Sequence, residues 1–155
     1  MAGTVAIGIQ QFNEIRKKGY FYIDKTAFIR EWWEKGDSVT LITRPRRFGK
    51  TLTMSMVEQF FSVKYAGQQN LFEGLAIWKT KAYREIQGTY PVISLSFANL
   101  KEPSYELTRQ KVCDQLQQLY TEHAYIWESG ILKGADKSFF ERMLHNEKVE
   151  YVDAT

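Results

Sequence analysis

Ser38-Val-Thr-Leu-Ile-Thr-Arg-Pro-Arg-Arg-Phe-Gly-Lys-Thr51 is the stretch on which the reading of this chain turns. Its first part, Ser38 to Thr43, is β-branched around an apolar centre, the composition of a short strand. A basic loop follows. From Lys50 to Phe61 the apolar residues Leu52, Met54, Met56, Val57, Phe60 and Phe61 return at helical spacing and leave almost no polar face. A helix apolar nearly all round belongs between other elements. Strand, basic loop and buried helix in that order place the loop at a helix N-terminus, where partial positive charge favours an anion.

The loop Arg44-Pro-Arg-Arg-Phe-Gly-Lys-Thr51 compares with the phosphate-binding pattern (Walker A) of glycine, four variable residues and Gly-Lys-Ser/Thr. Gly49, Lys50 and Thr51 keep its end, and Arg44 stands where the leading glycine would be. Gly49 removes a Cβ where backbone must approach phosphate. Lys50 supplies a point charge to the β- and γ-phosphates, and the Thr51 hydroxyl is placed to ligate Mg²⁺. The expected cofactors are therefore ATP and Mg²⁺. The expected contacts are Arg46, Arg47, Phe48, Gly49, Lys50, Thr51 and Leu52, with Thr51 as the metal ligand. The bland alternative is a basic surface turn before an ordinary core helix. The flanking strand and apolar helix favour the phosphate reading over it.

Outward from this loop, Gln10 to Lys18 has Phe12 and Ile15 at helical spacing and stops at Lys17-Lys18-Gly19. Tyr20 to Ile23 reads as a short strand, and Asp24 caps a helix that Gly36 ends, with Phe28, Ile29, Trp32 and Trp33 on one side. Gln68 to Trp78 is irregular, and Thr80 to Ile86 a short helix. Pro91 to Phe97 is a second strong strand. Ser104 caps a long helix with Val112, Leu116, Leu119, Tyr120 and His123 on one face, and Asp136 starts the last helix, with Phe139, Phe140, Met143 and Leu144 as its apolar side. This alternation predicts an α/β fold, a P-loop NTPase-like parallel sheet flanked by helices. Two strong strands do not finish such a sheet. The expectation is thus the N-terminal part of a single domain spanning 1–155, truncated before the strand that carries the hydrolytic acids (Walker B). A helical segment over 1–36 would precede the P-loop core over 37–155.

Tyr22-Ile-Asp-Lys-Thr26, Thr43 to Thr51 and Tyr90-Pro-Val-Ile-Ser-Leu-Ser-Phe97 together resemble the AAA-ATPase-like family of bacterial and archaeal proteins, whose longer members often carry a C-terminal PD-(D/E)XK nuclease-like domain. Leu71-Phe-Glu-Gly-Leu75 is similar as well, and the likeness runs from about Ile7 to Leu100. The family's phosphate loop typically reads Arg-Pro-Arg-Arg-Phe-Gly-Lys-Ser/Thr, so Arg44 in place of glycine is a family trait. The resemblance implies an ATPase core in which Lys50 and Thr51 contact phosphate and magnesium. It also implies paired acids on a later strand. Val149-Glu-Tyr-Val-Asp153 is a poor match, because Glu150 interrupts it and no acid follows Asp153. No catalytic residue is assigned, hydrolysis is expected to be weak or lacking, and the nuclease-like domain is not part of this sequence.

The 155 residues are 44% hydrophobic, 25% charged and 15% aromatic, which excludes intrinsic disorder. A net charge of +3 is too mild to imply nucleic acid, but Arg44, Arg46, Arg47 and Lys50 share one loop. A nucleic-acid-binding module gripping backbone phosphates with these residues is therefore one alternative. A small P-loop kinase is another, though no acceptor site or lid is legible. Arg46 and Arg47 read equally well as phosphate contacts and as solvated cations. Tyr20 and Tyr22 read as core residues ahead of an adenine-stacking role. Cys113, the lone cysteine, reads as a half-buried apolar residue, and His123 and His145 as structural. One cysteine, no signal-peptide pattern and no spanning apolar run predict a soluble cytoplasmic protein without a membrane partner. The oligomeric state is not legible.

Overall fold

Glycines and short polar residues cut this chain into brief helices. The computed structural model describes residues 4–5, 7–45, 47–98 and 100–145. Among these, the α-helices are α1 (Phe12–Lys17), α2 (Ala27–Lys35), α3 (Lys50–Phe61), α4 (Lys81–Ile86), α5 (Tyr105–Glu122), α6 (Ala124–Glu128) and α7 (Gly134–His145). Three 3-10 turns, at Val63–Tyr65, Gln69–Leu71 and Ala76–Lys79, shape the segment between α3 and α4.

The expected parallel sheet is not there. Among the described residues no strand forms, and the β contact is one isolated parallel bridge between Ser62 and Tyr90. It consists of Tyr90 N–H donating to the Phe61 carbonyl and Val63 N–H donating to the Tyr90 carbonyl, both at 2.9 Å. The segments 38–43 and 91–97 have β-type composition, but a ladder needs a second row of backbone groups alongside each, and no described segment forms one with them. Their apolar residues are accordingly exposed where a buried centre was expected: Val39 is 86%, Leu41 83% and Ile93 70% exposed. Tyr20 to Ile23 likewise forms no strand; Phe21 N–H donates to the Thr4 carbonyl at 2.9 Å and Tyr20 N–H to the Ile15 carbonyl at 3.1 Å.

Contacts divide the chain into two units that meet in sequence between Ser94 and Leu95. In the first, α3 supplies Met56, Phe60 and Phe61 to a core with Phe12, Ile29, Leu71 and Phe72. Phe72 lies with its ring centroid 5.1 Å from those of both Phe12 and Phe60. Arg16 fastens the turn that carries Phe72, donating to the Leu71 and Glu73 carbonyls at 2.7 Å. Trp32 and Trp33 both pack on Phe61. α3 is less uniformly apolar than its sequence suggested: Met54 is exposed, whereas Thr53, Ser55 and Gln59 are buried. α2 ends as read, at Gly36 in the left-handed conformation, but Asp24 braces the turn before the helix instead of capping it.

In the second unit Ser104 caps α5, its hydroxyl accepting from Leu107 N–H at 3.2 Å. Cys113 and Met143 form a small core between α5 and α7, with Leu116, Tyr120 and Phe139 against it. Cys113 is 1% exposed, so it is a full core residue and not a half-buried one. α7 begins at Gly134, with Asp136 in its first turn. No helix among the described residues is long and apolar enough to cross a membrane.

Candidate functional site

The basic loop enters α3 through Gly49, which sits at φ +75° as the helix's N-cap. Arg47 is also left-handed, at φ +69°. Glycine takes that conformation freely, whereas for Arg47 it costs about 1–2 kcal/mol. Left-handed residues close together let a chain turn its N–H groups to one side, the arrangement of an anion-binding nest. Because Gly49 offers no side-chain acceptor, the first-turn amides of α3 have no cap to satisfy them.

Around this turn lies an open cleft of about 850 Å³, lined by Arg47, Gly49, Lys50, Thr51 and Leu52 on one side and Ile7, Gly8, Ile9 and Gln10 on the other. That is within the range of about 300–1,000 Å³ usual for small-molecule sites. No carboxylate is among the lining residues. Lys50 is exposed and folds back over the loop, its ammonium donating to the Arg44 carbonyl at 2.5 Å. A neutral carbonyl is a weaker partner than an anion, so a phosphate oxygen would displace it.

Five of the residues expected at the site therefore border one cleft. Phe48 does not line it and is 60% exposed, and Arg46 lies outside the described residues, as does Val149 to Asp153. Tyr22 packs edge-on against Phe12 at 5.3 Å and donates its hydroxyl to the Met56 sulfur at 3.1 Å, while Tyr20 lies beneath the Lys18 ammonium. Neither tyrosine lines the cleft.

One wall of the cleft, and a lysine that lies against the loop without lining the cleft, were missed by reading the sequence. The wall Ile7 to Gln10 carries no chemistry-bearing pattern, apart from Gly8 at φ +84°. It is tethered to α3 by a polar network one turn beyond the loop. Ser55 Oγ accepts from Phe12 N–H at 3.1 Å and donates to Gln11 Oε1 at 3.0 Å, and Gln59 Nε2 donates to Ser55 Oγ at 3.0 Å. One helix thus fixes both the loop and the wall facing it. The second omission is Lys25. A Cβ built on Gly49 would stand 3.2 Å from the Lys25 ammonium nitrogen, so glycine leaves room for a cation against the loop.

These features suit a polyanion such as the triphosphate of ATP: a glycine-capped helix start, Lys50 and Arg47 at a cleft without acids, and a further ammonium beside Gly49. Among the described residues no group of three or more His, Cys, Asp or Glu converges. Mg²⁺ is usually held by one or two carboxylates together with phosphate oxygens and waters; no carboxylate lines this cleft, so the chain offers it one hydroxyl, that of Thr51.

The AAA-ATPase-like family, described as predicted AAA-ATPases, matches residues 6–153. This chain belongs to that family. The AAA-ATPase-like chain is also 37% identical over 97 residues to an uncharacterized protein in the vnfD 5′ region of Azotobacter chroococcum mcd 1, an alignment covering 59% of this chain. The match takes in 16% of that relative's length. No solved structure matches the chain.

Proposed function

We propose that this chain carries the phosphate-gripping part of an ATP-binding site and takes ATP together with Mg²⁺. The observation behind the reading is the convergence of Gly49, Lys50 and Thr51 on one acid-free cleft at the start of α3. Lys50 leaves the Arg44 carbonyl for the β- and γ-phosphates, and Arg47 adds a second cation at the rim. The first-turn N–H groups of α3 donate to phosphate oxygens, and Leu52 closes the apolar edge. Thr51 orients Mg²⁺, which neutralises phosphate charge when bound. Arg46 and Phe48 belong to the same loop and complete the proposed contact set. The chain is the N-terminal part of one AAA-ATPase-like domain, with 1–36 preceding a nucleotide-binding part over 37–155. Without assigned hydrolytic acids, it binds nucleotide weakly and turns it over negligibly. A cytoplasmic setting agrees with a single, free and buried thiol.

Calorimetric titration of ATP–Mg²⁺ into the protein and into Lys50→Ala tests this. Measurable heat from the first and roughly tenfold or greater weakening in the second is the expected result, since a charge-assisted contact is worth about 1.5–3 kcal/mol. Equal heats from the two proteins would remove Lys50 from the site.

A further inference from the structure

The geometry points to Lys25 as a further phosphate-binding cation of this site, beside Lys50 and Arg47, reaching the loop at Gly49 from a separate part of the chain. The inference rests on the ATP-binding reading above and adds a residue that the phosphate-loop pattern does not contain.

Three observations carry it. The first is position: the Lys25 ammonium comes within 3.2 Å of where a Gly49 Cβ would be. A Cβ there would crowd the ammonium and push it back by a few tenths of an ångström.

The second is the absence of a counter-charge. No carboxylate among the described residues pairs with Lys25, although Lys18, Lys81 and Lys111 all have acidic partners. Asp24, its immediate neighbour, is already occupied. Its Oδ1 accepts from Thr26 N–H at 2.8 Å and from Thr26 Oγ1 at 2.6 Å, and its Oδ2 accepts from Ala76 N–H at 2.7 Å. Lys25 and Lys50 thus bring two positive charges to one short loop that has no acid on its cleft side. A polyanion bound at the loop is attracted by both charges.

The third is anchoring. Thr26 is fully buried, and its Oγ1 accepts from Ile77 N–H at 3.2 Å. Lys25 itself donates its N–H to the Tyr22 hydroxyl at 3.4 Å and accepts at its carbonyl from Phe28 N–H at 3.0 Å. Asp24 and Thr26 therefore act as braces on either side and hold the Lys25 backbone still. A fixed base reduces the ordering cost of using a long side chain as a contact. Tyr22-Ile-Asp-Lys-Thr26 then has a division of labour, with Asp24 and Thr26 holding the turn and Lys25 presenting charge.

ATP, ADP and AMP, each with Mg²⁺, are titrated into the full chain and into Lys25→Met, Lys25→Arg and Lys50→Ala, with melting temperatures recorded alongside. Methionine keeps an unbranched stem and removes the charge. Lys25→Met is expected to weaken ATP about tenfold, the scale of one charge-assisted contact. The loss should shrink from ATP to ADP to AMP, and its salt dependence should be shallower than that of the unmodified protein. Lys25→Arg should recover most of the affinity. If Lys50→Ala loses ATP while Lys25→Met binds it as the unmodified protein does, the Lys25 assignment is overturned and the site stands. An equal loss for all three nucleotides would make Lys25 a structural residue and overturn the assignment too. Should the unmodified protein bind no better than Lys50→Ala, the site reading fails and Lys25 falls with it.

Discussion

At the scale of single residues, two glycines separate binding from stability. Gly49 and Gly88 are both left-handed, at φ +75° and +70°. An alanine at Gly49 meets the movable end of Lys25, whereas at Gly88 it meets the Ala66 Cα at 2.8 Å, backbone that cannot swing aside. Both substitutions carry the left-handed cost of about 1–2 kcal/mol. Gly88→Ala should add overpacking of about 1–3 kcal/mol and lower the urea midpoint further than Gly49→Ala does. Gly49→Ala should lose more ATP affinity, because it displaces the Lys25 ammonium; the reverse order of either measurement would contradict this account. Tyr22 supplies the pH dependence. Burial pushes its hydroxyl up from 10 to about 12, the Asp24 charge adds to the rise, and the Lys25 N–H opposes it. The folded protein therefore holds that proton more tightly than the unfolded chain does. Its contribution is complete below pH 10 and is lost as pH rises from 10 through about 12. The whole gap corresponds to ~2.7 kcal/mol, and solvent around the half-buried ring reduces the contribution to about 1 kcal/mol. Urea midpoints of Tyr22→Phe should start lower but fall less steeply across that alkaline window. Parallel slopes for the two proteins would mean that Tyr22 does not titrate as described.

At the scale of elements, the α5 cap gives the most local test. Ser104→Ala removes the acceptor for Leu107 N–H, and about 1 kcal/mol of stability should go with it. Replacement by Asp should retain most of that, with both followed by thermal unfolding. Helices of this kind were legible because their signals are local. Ser104, Gly36 and the run Lys50 to Phe61 lie within a few residues of the structure they specify. The expected sheet was a misreading, since Ser38 to Thr43 and Pro91 to Phe97 advertise only a local preference and form no strand among the described residues. Whether a neighbouring segment supplies the other half of a ladder is decided elsewhere in the chain. The same distinction divides the site. Gly49, Lys50 and Thr51 form a contiguous pattern that can be read from sequence alone. Lys25 reaches the loop only because the turn it sits on is pinned to Ala76 and Ile77, about fifty residues away in sequence. Gln11 and Ser55 escape a linear reading for the same reason: two ordinary polar residues become a tether only when α1 meets α3.

At the scale of the whole molecule, every residue of the proposed site lies before Ser94, and each unit has its own buried cluster. The chain's one cysteine reports on the second cluster alone, because Cys113 is 1% exposed there and packs with Met143. A thiol reagent reaches it only when that core opens. Met143→Ala leaves a cavity costing about 2–5 kcal/mol, so native-state labelling of Cys113 should accelerate by at least about thirtyfold. ATP affinity should stay unchanged. Phe72→Ala does the opposite, because Phe72 is packed between Phe12 and Phe60, whose helix α3 begins at the basic loop of the proposed site. Its loss, about 3–5 kcal/mol, should abolish ATP binding and leave the labelling rate of Cys113 within about twofold. If Phe72→Ala instead accelerated Cys113 labelling as much as Met143→Ala, the two cores would open together and the chain would be a single cooperative unit. The crossed pattern, with each substitution disturbing one readout and sparing the other, is the outcome expected when two clusters share a chain but not a core.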